Sequence, residues 1–184
     1  MRIIAGTFRG MTLKTVKGGK LRPTSDQLRE TLFDVLGPRI EGARFLDAYA
    51  GSGAVGIEAL SRGAADVVFI EHHRPGAELI RQNLARLKID SGYWILTSTV
   101  DHGLEKLAEQ GESFDFVFLD PPYEVIREYH QSLRQLGRGG LIGPSSLVIA
   151  EHSRHVILEE EYIDLRRTRT IRHGDAQLSF YRLS

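Results

Sequence analysis

The sequence predicts a doubly wound α/β fold, in which a mostly parallel seven-stranded sheet is closed by an antiparallel strand. Three observations predict it. Short apolar runs alternate with segments of helical spacing from Arg44 to Glu151. Runs such as Val67-Val68-Phe69-Ile70 and Phe116-Val117-Phe118-Leu119 are apolar throughout, the pattern of parallel strands covered on both faces. Finally, stretches 162–172 and 177–183 flank a turn at His173-Gly174-Asp175, which reads as a closing hairpin.

The elements follow in order. Residues 1–21 read as short strands around Gly6, Gly10 and Gly18-Gly19, a small N-terminal β-hairpin extension. The expected division is therefore a basic extension over 1–24 and a main domain over 25–184. Thr24 and Gln27 have capping-box spacing, and Leu28, Leu32, Val35 and Leu36 form one apolar helical face that Gly37-Pro38 ends. Arg44 to Ala48 is a strand, and Ala54 to Arg62 a helix stopped by Gly63. Asp66 to Glu71 is the next strand. Pro75 suits a first helical turn, after which Ala77, Ile80, Leu84 and Leu87 face inward. Tyr93 to Thr97 is a strand and Asp101 to Gln110 a helix. Phe114 to Leu119 is a strand, Val125 to Leu136 a helix and Leu147 to Glu151 a strand. Trp94 and Phe114 are expected in the core.

Of the 184 residues, 41% are hydrophobic and 26% charged, enough apolar mass for a core. No cysteine is present, which excludes disulfides, thiolate metal sites and a cysteine nucleophile. No apolar run reaches the roughly 18 residues of a membrane span, so the expectation is a cytoplasmic protein without a membrane partner. Net charge is zero, yet residues 1–24 hold Arg2, Arg9, Lys14, Lys17, Lys20 and Arg22 and no acid. The remainder therefore carries −6. A second basic run spans Arg166 to Arg172. Such segregation points to an anionic partner at one face, or to a solubilised tail and a charged edge strand.

In a doubly wound sheet, ligands sit at the carboxyl ends of strands, which directs attention to Asp47, Glu71 and Asp120. The first strand runs into Asp47-Ala48-Tyr49-Ala50-Gly51-Ser52-Gly53-Ala54-Val55-Gly56, a G-x-G-x-x-G match from Gly51. The match alone does not separate NAD, FAD and S-adenosylmethionine. Glu71, 18 residues after Gly53, can accept hydrogen bonds from both ribose hydroxyls. Asp47 favours S-adenosylmethionine. Its carboxylate suits the cationic amino acid end of that cofactor, directly or through water, and repels a pyrophosphate. Thr24, at a helix N-terminus, is a candidate for the methionine carboxylate or simply a cap. Asp101 or His102, after the third strand, is a candidate adenine contact.

Asp120-Pro121-Pro122-Tyr123 is the most specific stretch. Consecutive prolines after a buried strand impose a rigid extended turn without N–H donors. A base amine must lose some lone-pair delocalisation to attack a sulfonium methyl. The Asp120 carboxylate and the Pro121 carbonyl can each accept one of its N–H groups, orienting the lone pair and stabilising charge that develops on nitrogen. Tyr123 can stack on the base, worth roughly 1–3 kcal/mol. No metal is required. Neither the His72-His73 pair nor His152 has metal-ligand spacing, and Ser52 lacks the nucleophile-elbow pattern.

Asp-Pro-Pro-Tyr after a fourth strand resembles the motif of methyltransferases acting on adenine N6, cytosine N4 or guanine N2. The chain as a whole resembles the RsmD family of 16S rRNA (guanine-N2)-methyltransferases. The matching stretches are Met1 to Gly6 with Arg9-Gly10, Leu21 to Asp26, Arg29 to Phe33, Ala50 to Gly53, Gly56 to Ala64 and Phe118 to Tyr123. Ala48-Tyr49 stands where Leu-Phe is common in the family. Asp101-His102-Gly103 stands where an acid followed by alanine is frequent. The resemblance implies a Rossmann-like class I fold using S-adenosylmethionine. It implies methylation at N2 of guanine 966, a loop base that is already accessible or easily flipped, on the 30S subunit or its assembly intermediate. Arg2, Arg9, Lys14 and Arg22 are the RNA-binding candidates. A monomer is expected. The rival readings are an adenine-N6 methyltransferase on DNA or other RNA, an NAD-dependent oxidoreductase and an inactive RNA-binding protein.

Overall fold

A computed structural model describes residues 1–15, 25–122 and 125–184. Arg22, Thr24 and Tyr123, with the Gly18-Gly19 turn, lie outside the described residues. The chain forms two compact units, Met1–Ser98 and Thr99–Ser184.

In the first unit, helix α1 (Asp26–Leu36) starts at Ser25, whose hydroxyl accepts the Leu28 N–H at 3.1 Å. Ser25 is therefore the N-cap, and the expected Thr24–Gln27 box lies outside the described residues. Strands β1 (Arg44–Asp47), β2 (Asp66–Ile70) and β3 (Tyr93–Leu96) are parallel in the order β3-β2-β1. Val67, Val68, Phe69 and Ile70 are all buried, as their unbroken apolar run requires. Helix α2 (Ala54–Ser61) follows β1, and α3 (Arg74–Arg86) follows β2 with Pro75 in its first turn. The inward face of α3 and its C-terminal neighbour is as spaced: Ala77, Ile80, Leu84 and Leu87 are buried. Trp94 corrects the expected core, because it is only half-buried on β3.

The N-terminal extension is not a regular hairpin over its described part. It has a single antiparallel bridge, Arg2 with Thr12, supported by Ile3 N–H to Met11 O at 2.9 Å and Leu13 N–H to Met1 O at 2.9 Å. Ile3 and Leu13 are buried, and Ile4, Ala5, Thr7 and Phe8 are tied to α2. Glu58 accepts the N–H groups of Ile4 at 2.9 Å and Ala5 at 3.0 Å. The Ser61 hydroxyl donates to Ala5 O at 2.6 Å and accepts the Phe8 N–H at 3.0 Å. Gly6 has φ +82°, and a Cβ there would lie 1.8 Å from Ser61 O, so only glycine permits this approach.

In the second unit, α4 (Val100–Glu109) precedes β4 (Phe114–Leu119), α5 (Ile126–Gly137) and β5 (Ile142–Ser153). Strand β4 has the expected bounds and pairs parallel with β5. Strand β5 begins earlier than the expected Leu147, because a register shift between the Phe114–Ile142 and Phe116–Leu147 pairs absorbs residues 143–146. Three strands follow where the two of a closing hairpin were expected: β6 (Glu161–Tyr162), β7 (Leu165–His173) and β8 (Ala176–Leu183). Their order is β5-β8-β7-β6. The single strand expected over 162–172 is broken at Ile163, whose φ is +57°. Among the described residues the units thus hold three and five strands, one more than seven. The addition is the two-residue β6.

Candidate functional site

The first unit gathers Asp47, the glycine loop and Glu71. Asp47 ends β1 with only 1% of its surface exposed, and its Oδ2 accepts the Gly56 N–H at 2.9 Å. Burial pushes its carboxyl up to about 7, repulsion from Glu71 adds to the rise and the Gly56 hydrogen bond opposes it. At neutral pH Asp47 therefore carries only part of the charge that the sequence suggests.

The three glycines of the loop have different physical reasons. Gly51 (φ +54°) has open space where a Cβ would be, so its backbone stands uncovered. Gly53 (φ +79°) is the left-handed N-cap of α2. A Cβ on Gly56 would lie 2.2 Å from the Phe69 ring, so this glycine lets α2 pack closely on β2. Ala50 N–H donates to Ile70 O at 3.0 Å, which ties the loop to the end of β2.

Glu71 follows β2 with 8% of its surface exposed. Its Oε2 accepts the Gly51 N–H and its Oε1 the His73 N–H, both at 2.8 Å. The carboxylate is thus locked against the loop, with each oxygen retaining acceptor capacity. Asn83, fully buried on α3, is a residue that sequence reasoning missed. Its Nδ2 donates to Ser52 O and Lys14 O, both at 3.0 Å, and its Oδ1 accepts the Lys14 N–H at 2.8 Å. One amide therefore joins the glycine loop to the N-terminal arm. The available signal was a polar residue three positions after Ile80, inside an apolar face.

Of the basic candidates on the arm, the exposed Arg2 pairs with Asp26 at 3.4 Å. The Lys14 Nζ donates to Gln82 at 3.2 Å. Arg9 is exposed, with no ion pair among the described residues.

In the second unit, Asp120 is half-buried just after β4, Pro121 is buried and Pro122 exposed. The Pro122 carbonyl accepts the Val125 N–H at 2.9 Å. Tyr129, a second residue missed by sequence reasoning, is fully buried on α5. Its hydroxyl meets the carbonyls of Pro121 at 3.2 Å and Glu151 at 2.9 Å. Asp101 sits in the first turn of α4, where the Thr99 hydroxyl holds its carboxyl below the ordinary value. It lines an open polar groove of about 710 Å³ with Arg127, His130 and Arg134 of α5 and Arg138 at its C-cap. Among the described residues no cluster of three potential metal ligands exists.

The family model described as "Conserved hypothetical protein 95" matches residues 1–182. "Ribosomal RNA small subunit methyltransferase D" of Escherichia coli K12 is 42% identical over 153 residues, covering 82% of this chain and 74% of the relative. The chain belongs to this family, the RsmD family. "Putative rRNA methyltransferase YlbH" of Bacillus subtilis is 33% identical over 182 residues, covering 99% of this chain and 98% of the relative. The solved structure "Putative methyltransferase yhhF from Escherichia coli" superposes with a TM-score of 0.86 at 34% identity, over 100% of this chain and 98% of its own. The RsmD-family chain thus has the Rossmann-like class I methyltransferase fold.

Proposed function

We propose that this protein transfers a methyl group from S-adenosylmethionine to the N2 amine of a guanine in 16S rRNA, guanine 966 by family resemblance, on the small subunit or its assembly intermediate. The observation that carries the reading is the loop at the ends of β1 and β2, where Gly51 is uncovered and Glu71 is locked beneath it. Family membership supplies the substrate class, since relatives carry the name of a small-subunit rRNA methyltransferase.

The residues fit the cofactor. The open space over Gly51 suits close approach of a ligand to the loop of Ala50, Gly51, Ser52 and Gly53. Glu71 would take the ribose hydroxyls on its remaining lone pairs, and Asp47 the ammonium end, directly or through water. Thr24 would meet the carboxylate and Asp101 the adenine. Bound S-adenosylmethionine supplies an electrophilic methyl on a sulfonium. The chain's own part is to bind and orient. Asp120 and the Pro121 carbonyl accept the two amine N–H groups, and Pro122 keeps the turn extended. Tyr123 stacks on the base. The reaction requires the nitrogen in line at about 3 Å, so positioning supplies much of the rate. Arg2, Arg9, Lys14 and Arg22 hold the rRNA backbone, and the enzyme works as a cytoplasmic monomer.

The test is incubation with labelled S-adenosylmethionine and small subunits that lack this methyl, followed by digestion to nucleosides. N2-methylguanosine is expected. Label in N6-methyladenosine would move the reading to adenine, and no label in 16S rRNA would refute it.

A further inference from the structure

The Asp120-Pro121-Pro122 turn has an unusual mechanical problem. Neither proline has an N–H, so the turn cannot be held by backbone donors of its own at these two positions. Yet the Pro121 carbonyl must point in one direction if it is to accept an N–H from an amine. Among the described residues, the donor that meets this carbonyl is the Tyr129 hydroxyl, one turn into α5.

Tyr129 is fully buried, and its ring packs edge-on against His152 with centroids 6.1 Å apart. The ring therefore has little freedom to swing. Its hydroxyl stands 3.2 Å from Pro121 O and 2.9 Å from Glu151 O, the latter within β5. A phenol has one hydrogen for these two carbonyls. The two carbonyls share that hydrogen as a three-centre bond, and Pro121 O keeps its second lone pair for another donor. The hydroxyl thus links the loop after β4 to a residue within the paired part of β5, which itself is laddered to β8.

We propose that Tyr129 is a positioning residue for the acceptor amine: its hydroxyl, anchored on β5, holds the Pro121 carbonyl in the direction from which it accepts the amine N–H. This rests on the proposed reading of Asp120 and Pro121. Tyr129 does not touch the base. It acts through the carbonyl.

The experiment compares the full-length wild type with Tyr129→Phe, which keeps the buried ring and removes the hydroxyl. Ser132→Ala, which removes another buried hydroxyl from α5, is the control for destabilisation alone. Single-turnover methyl transfer to small subunits is measured where circular dichroism shows all three proteins folded. Tyr129→Phe is expected to lower the transfer rate about tenfold, equivalent to about 1.4 kcal/mol of barrier. Its Kd for S-adenosylhomocysteine and its KM for subunits should stay within twofold of wild type, and Ser132→Ala should keep the wild-type rate. An unchanged rate in Tyr129→Phe overturns the proposal. So does an equal fall in Ser132→Ala, or a loss that appears in cofactor affinity instead of rate. A wild type that labels no rRNA counts against the functional reading instead, which separates the two failures.

Discussion

Asp47 shows how one residue can look simple in sequence and behave differently in place. Its carboxyl rises from an ordinary 3.8 to about 7 because it is taken out of water beneath the glycine loop. Between pH 4 and 7 the unfolded chain ionises this group while the folded chain keeps its proton. Stability contributed by Asp47 is therefore full in acid, is lost as pH rises through this window and is level above it. A shift of this size corresponds to about 4 kcal/mol at most. Urea melts of wild type and Asp47→Asn at pH 5 and pH 8 test this. Wild type should lose more stability between the two pH values than the variant. A bound ammonium favours the ionised carboxylate, so affinity for S-adenosylhomocysteine should rise with pH through 7. Calorimetry should find that rise absent in Asp47→Asn. A pH-independent affinity in wild type would remove Asp47 from the ammonium site. The side chain's position at the end of β1 was legible from its place before Gly51. Its partial charge was not, because burial depends on contacts distant in sequence.

Elements differ in the same way. Strand β4 and the inner face of α3 were legible because local patterning decides them: an unbroken apolar run in one, a 3.6-residue period in the other. The docking of the arm on α2 was not. It depends on Glu58, which reads as an ordinary surface acid but is fully buried, accepts two backbone N–H groups and meets Arg62 at 2.8 Å. Strand β7 resolves the ambiguity of the basic run only in part. Arg166 and Arg167 are paired with Glu161 and Glu160, while Arg169 and Arg172 are exposed with no ion pair among the described residues. Charges of this kind also protect an edge strand from unwanted pairing. For α3, the expectation concerns Asn83. Asn83→Ala strands the Ser52 and Lys14 carbonyls and the Lys14 N–H without their partner. The fold should lose roughly 2–3 kcal/mol, read by urea denaturation, and hydrogen exchange should quicken both at the glycine loop and at residues 12–15. Faster exchange at only one of the two would show that the amide does not couple them.

The molecule as a whole is electrically neutral, yet its charge is distributed in a way that a partner can read. Residues 1–24 carry six cations and no acid, against −6 in the remainder. A uniformly neutral surface would bind RNA weakly and with little response to salt. A local cationic arm binds phosphates with release of counterions, so affinity should fall steeply as salt rises, by a slope that counts the contacts. The arm's side chains are not equal in this respect. Arg2 is already partnered by Asp26, and the Lys14 Nζ donates to Gln82, whereas Arg9 is exposed with no ion pair among the described residues. Arg9→Ala should therefore reduce the log–log salt slope of small-subunit binding by about 1, and Arg2→Ala by less, since Arg2 is already paired with Asp26. The Kd for S-adenosylhomocysteine should not change in either variant. Filter binding across a salt series measures the slopes, and calorimetry the cofactor affinity. An unaltered slope in Arg9→Ala would mean that its charge does not meet a phosphate, and the anionic surface would have to be met elsewhere, with the exposed Arg169 and Arg172 of β7 as the next residues to substitute.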